Sequence, residues 1–110
     1  MQAPLEITFR GMDRSPALET AAATWVARLE HICDCIQHCH VWIDLPHRHR
    51  RRGASFQVKL DLAITGAEIT VTQAGDEDVY VVLSDAFVAA KRQLHDHLEI
   101  RRGDVKHHAA

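Results

Sequence analysis

Between residues 38 and 71 the chain alternates apolar and polar side chains in three separate runs. Cys39, Val41, Ile43 and Leu45 alternate with His38, His40, Trp42 and Asp44. Phe56, Val58, Leu60 and Leu62 alternate with Gln57, Lys59 and Asp61, and Ala67, Ile69 and Val71 repeat the spacing. A period of two puts the apolar set on one face of a strand and the polar set on the other. An amphipathic helix cannot be drawn through such a pattern. Near the N-terminus Leu5, Ile7 and Phe9 alternate with Glu6, Thr8 and Arg10, which adds a fourth strand, first in chain order. Thr65-Gly66 sits between two apolar runs and reads as a tight hairpin turn.

Four strands with one dry face each need a cover, and two stretches at helical spacing supply it. Ser15-Pro16 is a helix start, with Ser as the N-cap and Pro in the first turn. Leu18, Ala22, Trp25, Val26, Leu29, Ile32 and Cys33 follow as one stripe, and the helix is expected to end near Asp34. The second stripe is Val79, Leu83, Ala86, Phe87, Ala90 and Leu94. The acids Asp76, Glu77 and Asp78 precede it, where the helix dipole favours negative charge. The order β-α-β-β-β-α predicts an α+β two-layer sandwich, with both helices on one face of a four-stranded sheet. Strands one and two, joined through a helix, should be parallel and the others antiparallel. The uncovered face would carry Thr8, Arg10, His38, His40, Trp42, Lys59, Asp61, Thr70 and Thr72. Residues 1–100 read as a single domain, and residues 101–110 as a polar, frayed tail.

Charge then points to function. The chain has 13 Lys and Arg against 15 Asp and Glu, a formal net charge of −2. Six consecutive residues, His47, Arg48, His49, Arg50, Arg51 and Arg52, are basic or can become so. Setting aside the four arginines of that run leaves a balance of −6. Positive charge is thus concentrated, as at a site for polyanions, and Pro46 and Gly53 mark the run as a loop between strands. No apolar stretch approaches the roughly 20 residues of a membrane span. The start Met1-Gln2-Ala3-Pro4 lacks the pattern of a secretion signal, so a cytoplasmic location is expected.

Three segments carry a family resemblance: Ile7 to Gly11 (I-T-F-R-G), Ala27 to Glu30 (A-R-L-E), and Asp78-Val79-Tyr80 running to Lys91-Arg92-Gln93-Leu94. Together with the element order, they make the chain resemble the ribosome hibernation-promoting factors, also called ribosome-associated inhibitors or sigma-54 modulation proteins. The resemblance covers about residues 4–106 and is closest to a short, divergent form with a His/Arg-rich loop. It implies binding to small-subunit rRNA, occlusion of tRNA and mRNA sites, and silencing of translation in stress or stationary phase. Arg28 and Arg92 match basic positions of the family's helices, whereas Glu19, Thr24 and Ala89 stand where basic residues are usual. The ribosome-dimerising domain that longer members add is not expected in this chain. The candidate RNA-binding residues are Arg28, His47, Arg48, His49, Arg50, Arg51, Arg52, Lys59, Lys91 and Arg92. Arginine suits this chemistry because its planar fork of donors matches phosphate oxygens.

Other readings stay open beside this one. A module on the same fold could bind RNA outside the ribosome. Nine histidines and three cysteines invite a metal-responsive or redox role, but His38, His40, Cys33, Cys35 and Cys39 form no pair of zinc-ligand sets. Cys33 and Cys39 also fit apolar core positions, and an odd cysteine count argues against a disulfide scaffold. Trp42 on the open face could stack bases, contact a protein partner, or pack under the chain's own tail. No glycine-rich phosphate loop, nucleophile elbow or paired-acid arrangement appears, so neither an enzyme nor a cofactor is expected. Membranes, DNA and small-molecule substrates are not expected partners.

Overall fold

A computed structural model describes residues 4–45, 55–76 and 78–109. The elements run β1 (Leu5–Arg10), α1 (Pro16–Ile32), β2 (Ile36–Asp44), β3 (Phe56–Ile64), β4 (Ala67–Asp76) and α2 (Val79–Ala109). The strands lie in the order β1-β2-β3-β4. β1 pairs with β2 in parallel and the other neighbours are antiparallel, as the connections predict. The crossover α1 lets β1 and β2 run the same way. The two-residue turn Thr65-Gly66 reverses β3 into β4, with Gly66 at φ 84, where a residue without Cβ is favoured.

The apolar parities meet in one core between the sheet and the two helices. α1 contributes Leu18, Ala22, Val26 and Leu29, and α2 contributes Val82, Leu83, Ala86, Phe87, Ala90 and Leu94. Val82 extends the stripe beyond the sequence reading. The sheet adds Cys39, Val41, Ile43, Val58, Leu60, Leu62, Ile64, Ile69 and Val71. Among the described residues no polar or charged side chain is buried there, so no desolvated charge opposes the packing. α1 packs on β1 and β2, and α2 on β3 and β4. The Trp25 and Phe87 rings stack at 5.6 Å between centroids and join the helices.

Local chemistry sets the element ends. The Ser15 hydroxyl accepts the Leu18 N–H at 3.2 Å and caps α1, with Pro16 in the first turn. Of the three acids before α2, Asp78 caps it: its carboxylate accepts the Tyr80 N–H at 2.9 Å. Asp76 is instead the last residue of β4, and Glu77 lies outside the described residues. Gly11, at φ 72, follows β1 where the chain passes β2 closely; a Cβ there would lie 2.5 Å from the Leu45 carbonyl oxygen. The Leu45 N–H donates to the Arg10 carbonyl at 2.9 Å in the same crossing.

Three features differ from the sequence reading. β2 starts at Ile36, where an irregularity between Ile36 and His38 lets both Ile36 and Cys39 face the core despite their odd separation. α2 continues to Ala109, through the stretch read as a tail, although that stretch lacks a strong apolar stripe. Cys33 and Cys35 are joined through their sulfurs across one intervening residue, which clips the α1–β2 turn rather than building a scaffold. The third thiol, Cys39, is buried, and burial together with the nearby Asp61 carboxylate pushes its pKa up to about 12.

Candidate nucleic-acid interface

The sheet divides the predicted basic residues between two surfaces. On the helix layer, Trp25, Arg28, Leu29 and Ile32 of α1 face Lys91 and His95 of α2 across a hollow of about 400 Å³. Its floor is held by the core, because Phe87 is fully buried and carries the Trp25 ring on its face. The Arg28 guanidinium sits 5.0 Å from the Trp25 ring centroid, a cation–π contact that orients it without neutralising it. Arg28 is three residues after Trp25, and His95 four after Lys91, so each pair shares a helix face.

Arg28 and Lys91 therefore line one hollow, a juxtaposition that their positions in the sequence do not state. Both are exposed, and neither is in an ion pair among the described residues. Arg92 is exposed on α2 but does not line the hollow. His95 was not picked out from sequence; its spacing from Lys91 was the available signal. Arg14 behaves differently, since its Nε donates to Glu19 Oε2 and its second nitrogen lies 2.9 Å from Oε1. That hydrogen bond holds the Glu19 carboxyl below its ordinary pKa, and the two charges offset each other.

Lys59 lies on the other layer. Its neighbours Val58 and Leu60 are buried under the helices, so Lys59 points out of the uncovered face. Its Nζ is 5.0 Å from the Trp42 ring centroid. His40 and Trp42 stack at 3.6 Å with 10° between planes, and the His38 ring meets His40 edge-on at 6.4 Å. His40 Nε2 is hydrogen-bonded to Thr8 Oγ1 at 2.9 Å, and Glu6 Oε1 lies 3.5 Å from His40 Nδ1 and 3.8 Å from His38 Nε2. These contacts leave the His40 side chain only 18% exposed, although its strand face is uncovered. Among the described residues no group of three or more His, Cys, Asp and Glu side chains is placed to hold a metal ion.

His47, Arg48, His49, Arg50, Arg51 and Arg52 lie outside the described residues; they belong to the connection between β2 and β3. Among the described residues no helix is long and apolar enough to cross a membrane.

No curated protein sequence matches the chain. Solved structures share its fold. A ribosomal subunit interface protein from Coxiella burnetii superposes with a TM-score of 0.73 at 19% identity, covering 87% of this chain and 98% of that one. The N-terminal domain of Protein Y from Thermus thermophilus gives 0.67 at 20% identity, covering 84% and 94%. Residues 5–102 match the profile of one family, so the whole sandwich from β1 through most of α2 is accounted for, and the chain belongs to the sigma 54 modulation protein / S30EA ribosomal protein family.

Proposed function

We propose that the protein binds the small ribosomal subunit through rRNA phosphates and silences translation by occupying tRNA and mRNA positions under stress or in stationary phase. The action is steric and needs no catalytic step. The observation that carries this reading is the groove between the helices, where Arg28, Lys91 and His95 converge over a rigid aromatic floor. Arg28 and Lys91, in no ion pair among the described residues, can exchange counterions for phosphates, which supplies affinity on structured RNA. Family membership supports the reading, as does the description of a structural relative as a ribosomal subunit interface protein. Arg92 adds charge beside the groove, and the His47–Arg52 run forms a second cationic element for the same rRNA backbone. Binding to the subunit places the protein in the cytoplasm.

Co-sedimentation with 30S and 70S particles across a salt series tests this. The expected result is saturable, salt-sensitive binding at about one copy per particle. Absence of binding at low salt overturns the reading. Equal affinity for free structured RNA would make the protein a general RNA-binding module.

A further inference from the structure

We propose that the uncovered face of the sheet holds a second RNA contact, a hollow beside Trp42 that takes one nucleotide of single-stranded RNA. The inference rests on the proposed function for the source of the RNA, though the contact itself does not require a ribosome. Arg10, Trp42, Asp44, Gln57, Lys59 and Thr72 line the hollow, whose volume is about 240 Å³. That is below the roughly 300–1,000 Å³ of pockets for drug-sized molecules, and it suits a single base.

The strand register says which side of the indole is open. Thr8, Trp42, Lys59 and Thr72 form one rung across the four strands. Arg10, Asp44 and Gln57 form the next rung, toward the end of the sheet where β2 stops. His40 belongs to the rung on the other side and stacks on Trp42 from there. All six lining residues come from the first two rungs, so the hollow adjoins the side of the indole away from His40. The Lys59 ammonium there, 5.0 Å from the ring centroid, must swing aside for a base and is then placed at its phosphate. A base entering it would continue the His40–Trp42 stack. Thr8 and Glu6 already hold His40 in place, so little conformational freedom remains to be lost when a ligand arrives.

The rim chemistry fits a nucleotide better than a protein surface. Lys59 and Arg10 are exposed, and neither is in an ion pair among the described residues, so both can meet phosphate. Asp44 and Gln57 also line the hollow, and their side chains offer acceptor oxygens and a donor amide for the edge of a base. Stacking tolerates any base, because each has a π face. A protein-docking face would gather exposed apolar side chains. The large ones among the described residues, Tyr80, Val81, Val88 and Ile100, are on α2, in the other layer.

A short unstructured oligouridylate tests the site without ribosomes. Of the two tryptophans, Trp25 is removed as W25F, which leaves Trp42 as the only indole reporter. Saturable quenching of its fluorescence by the oligonucleotide is expected, and absence of quenching overturns the proposal. Anisotropy of a labelled oligonucleotide then compares variants on the full chain. W42F keeps a stacking ring and should bind like the parent, whereas W42L and K59E should bind about tenfold more weakly. Equal affinity of W42F and W42L overturns the site, even if W42L is less stable, provided both are folded by circular dichroism. The variant R28Q/K91Q, which alters the groove between the helices, is measured beside them. If it loses binding while W42L keeps it, the oligonucleotide lies between the helices and this proposal fails. Subunit co-sedimentation is scored separately, so loss of either activity leaves the other interpretable.

Discussion

Replacing Arg28 and Lys91 together by glutamine removes two positive charges from one groove while keeping the first two methylenes of each stem. Arg28 rests on Trp25 and both side chains are exposed, so the fold should survive with little change in melting temperature. The binding signature is a change in salt dependence. Each phosphate contact contributes about 0.7–0.9 to the slope of log K against log salt, so losing two lowers the slope by about 1.6. Between about 50 and 200 mM salt, the wild type should therefore lose roughly tenfold more affinity than the variant. Co-sedimentation with 30S particles at several salt concentrations measures this directly. Arg14→Ala is the internal control: its guanidinium is already engaged by Glu19, so its slope should match the wild type. Parallel slopes for wild type and R28Q/K91Q would refute the assignment of the groove to phosphate, whatever happens to the affinity at one salt concentration.

Gly11→Ala should lower stability by about 1–3 kcal/mol in thermal or urea unfolding, because φ 72 disfavours a Cβ and the Leu45 carbonyl leaves it no room. Phe87→Ala, which empties a fully buried site under Trp25, should cost about 3–5 kcal/mol; a loss near zero by urea titration would refute the packing between the helices. The Cys39 thiol should resist iodoacetamide in the native protein at about pH 8 and react once urea unfolds the chain. Its pKa is raised from 9.0 to about 12, so over that interval the folded state holds a proton the unfolded state has lost. Its contribution to stability is thus complete below pH 9.0 and declines as pH rises toward about 12, which Cys39→Ala should abolish in a stability–pH series.

The sandwich was legible because burial is one-sided. Alternation in β2, β3 and β4 and the stripes of α1 and α2 each named the same dry interface, and consistent local signals make such a reading dependable. Where one signal was weak, the reading failed. Ile36 breaks the two-residue parity through its bulge, so β2 appeared to begin later than it does. The last turns of α2 carry little apolar periodicity, and polar composition alone suggested a tail. The site was legible in residue type but less so in arrangement. Arg28 and Lys91 meet because a helix pair aligns them. Lys59 shares their charge, but its alternation with Val58 and Leu60 puts it on the uncovered face in the sequence as in the structure. The one signal for His95 is its four-residue spacing from Lys91, which is too common on a polar helix face to single it out.

The β3–β4 turn does more than reverse the chain. Thr65 donates its N–H at 3.0 Å and its hydroxyl at 3.3 Å to the Cys35 carbonyl, next to the bridged α1–β2 turn. This pins one end of the sheet, so β2 cannot slide past β3 without breaking the anchor. The connection between β2 and β3 leaves from the opposite end. Its length can therefore drift without disturbing strand register, since doubling a connection costs only about 0.6 kcal/mol in closure entropy. The architecture separates a segment that can be rewritten from a frame that cannot, and the arginine run occupies the rewritable part.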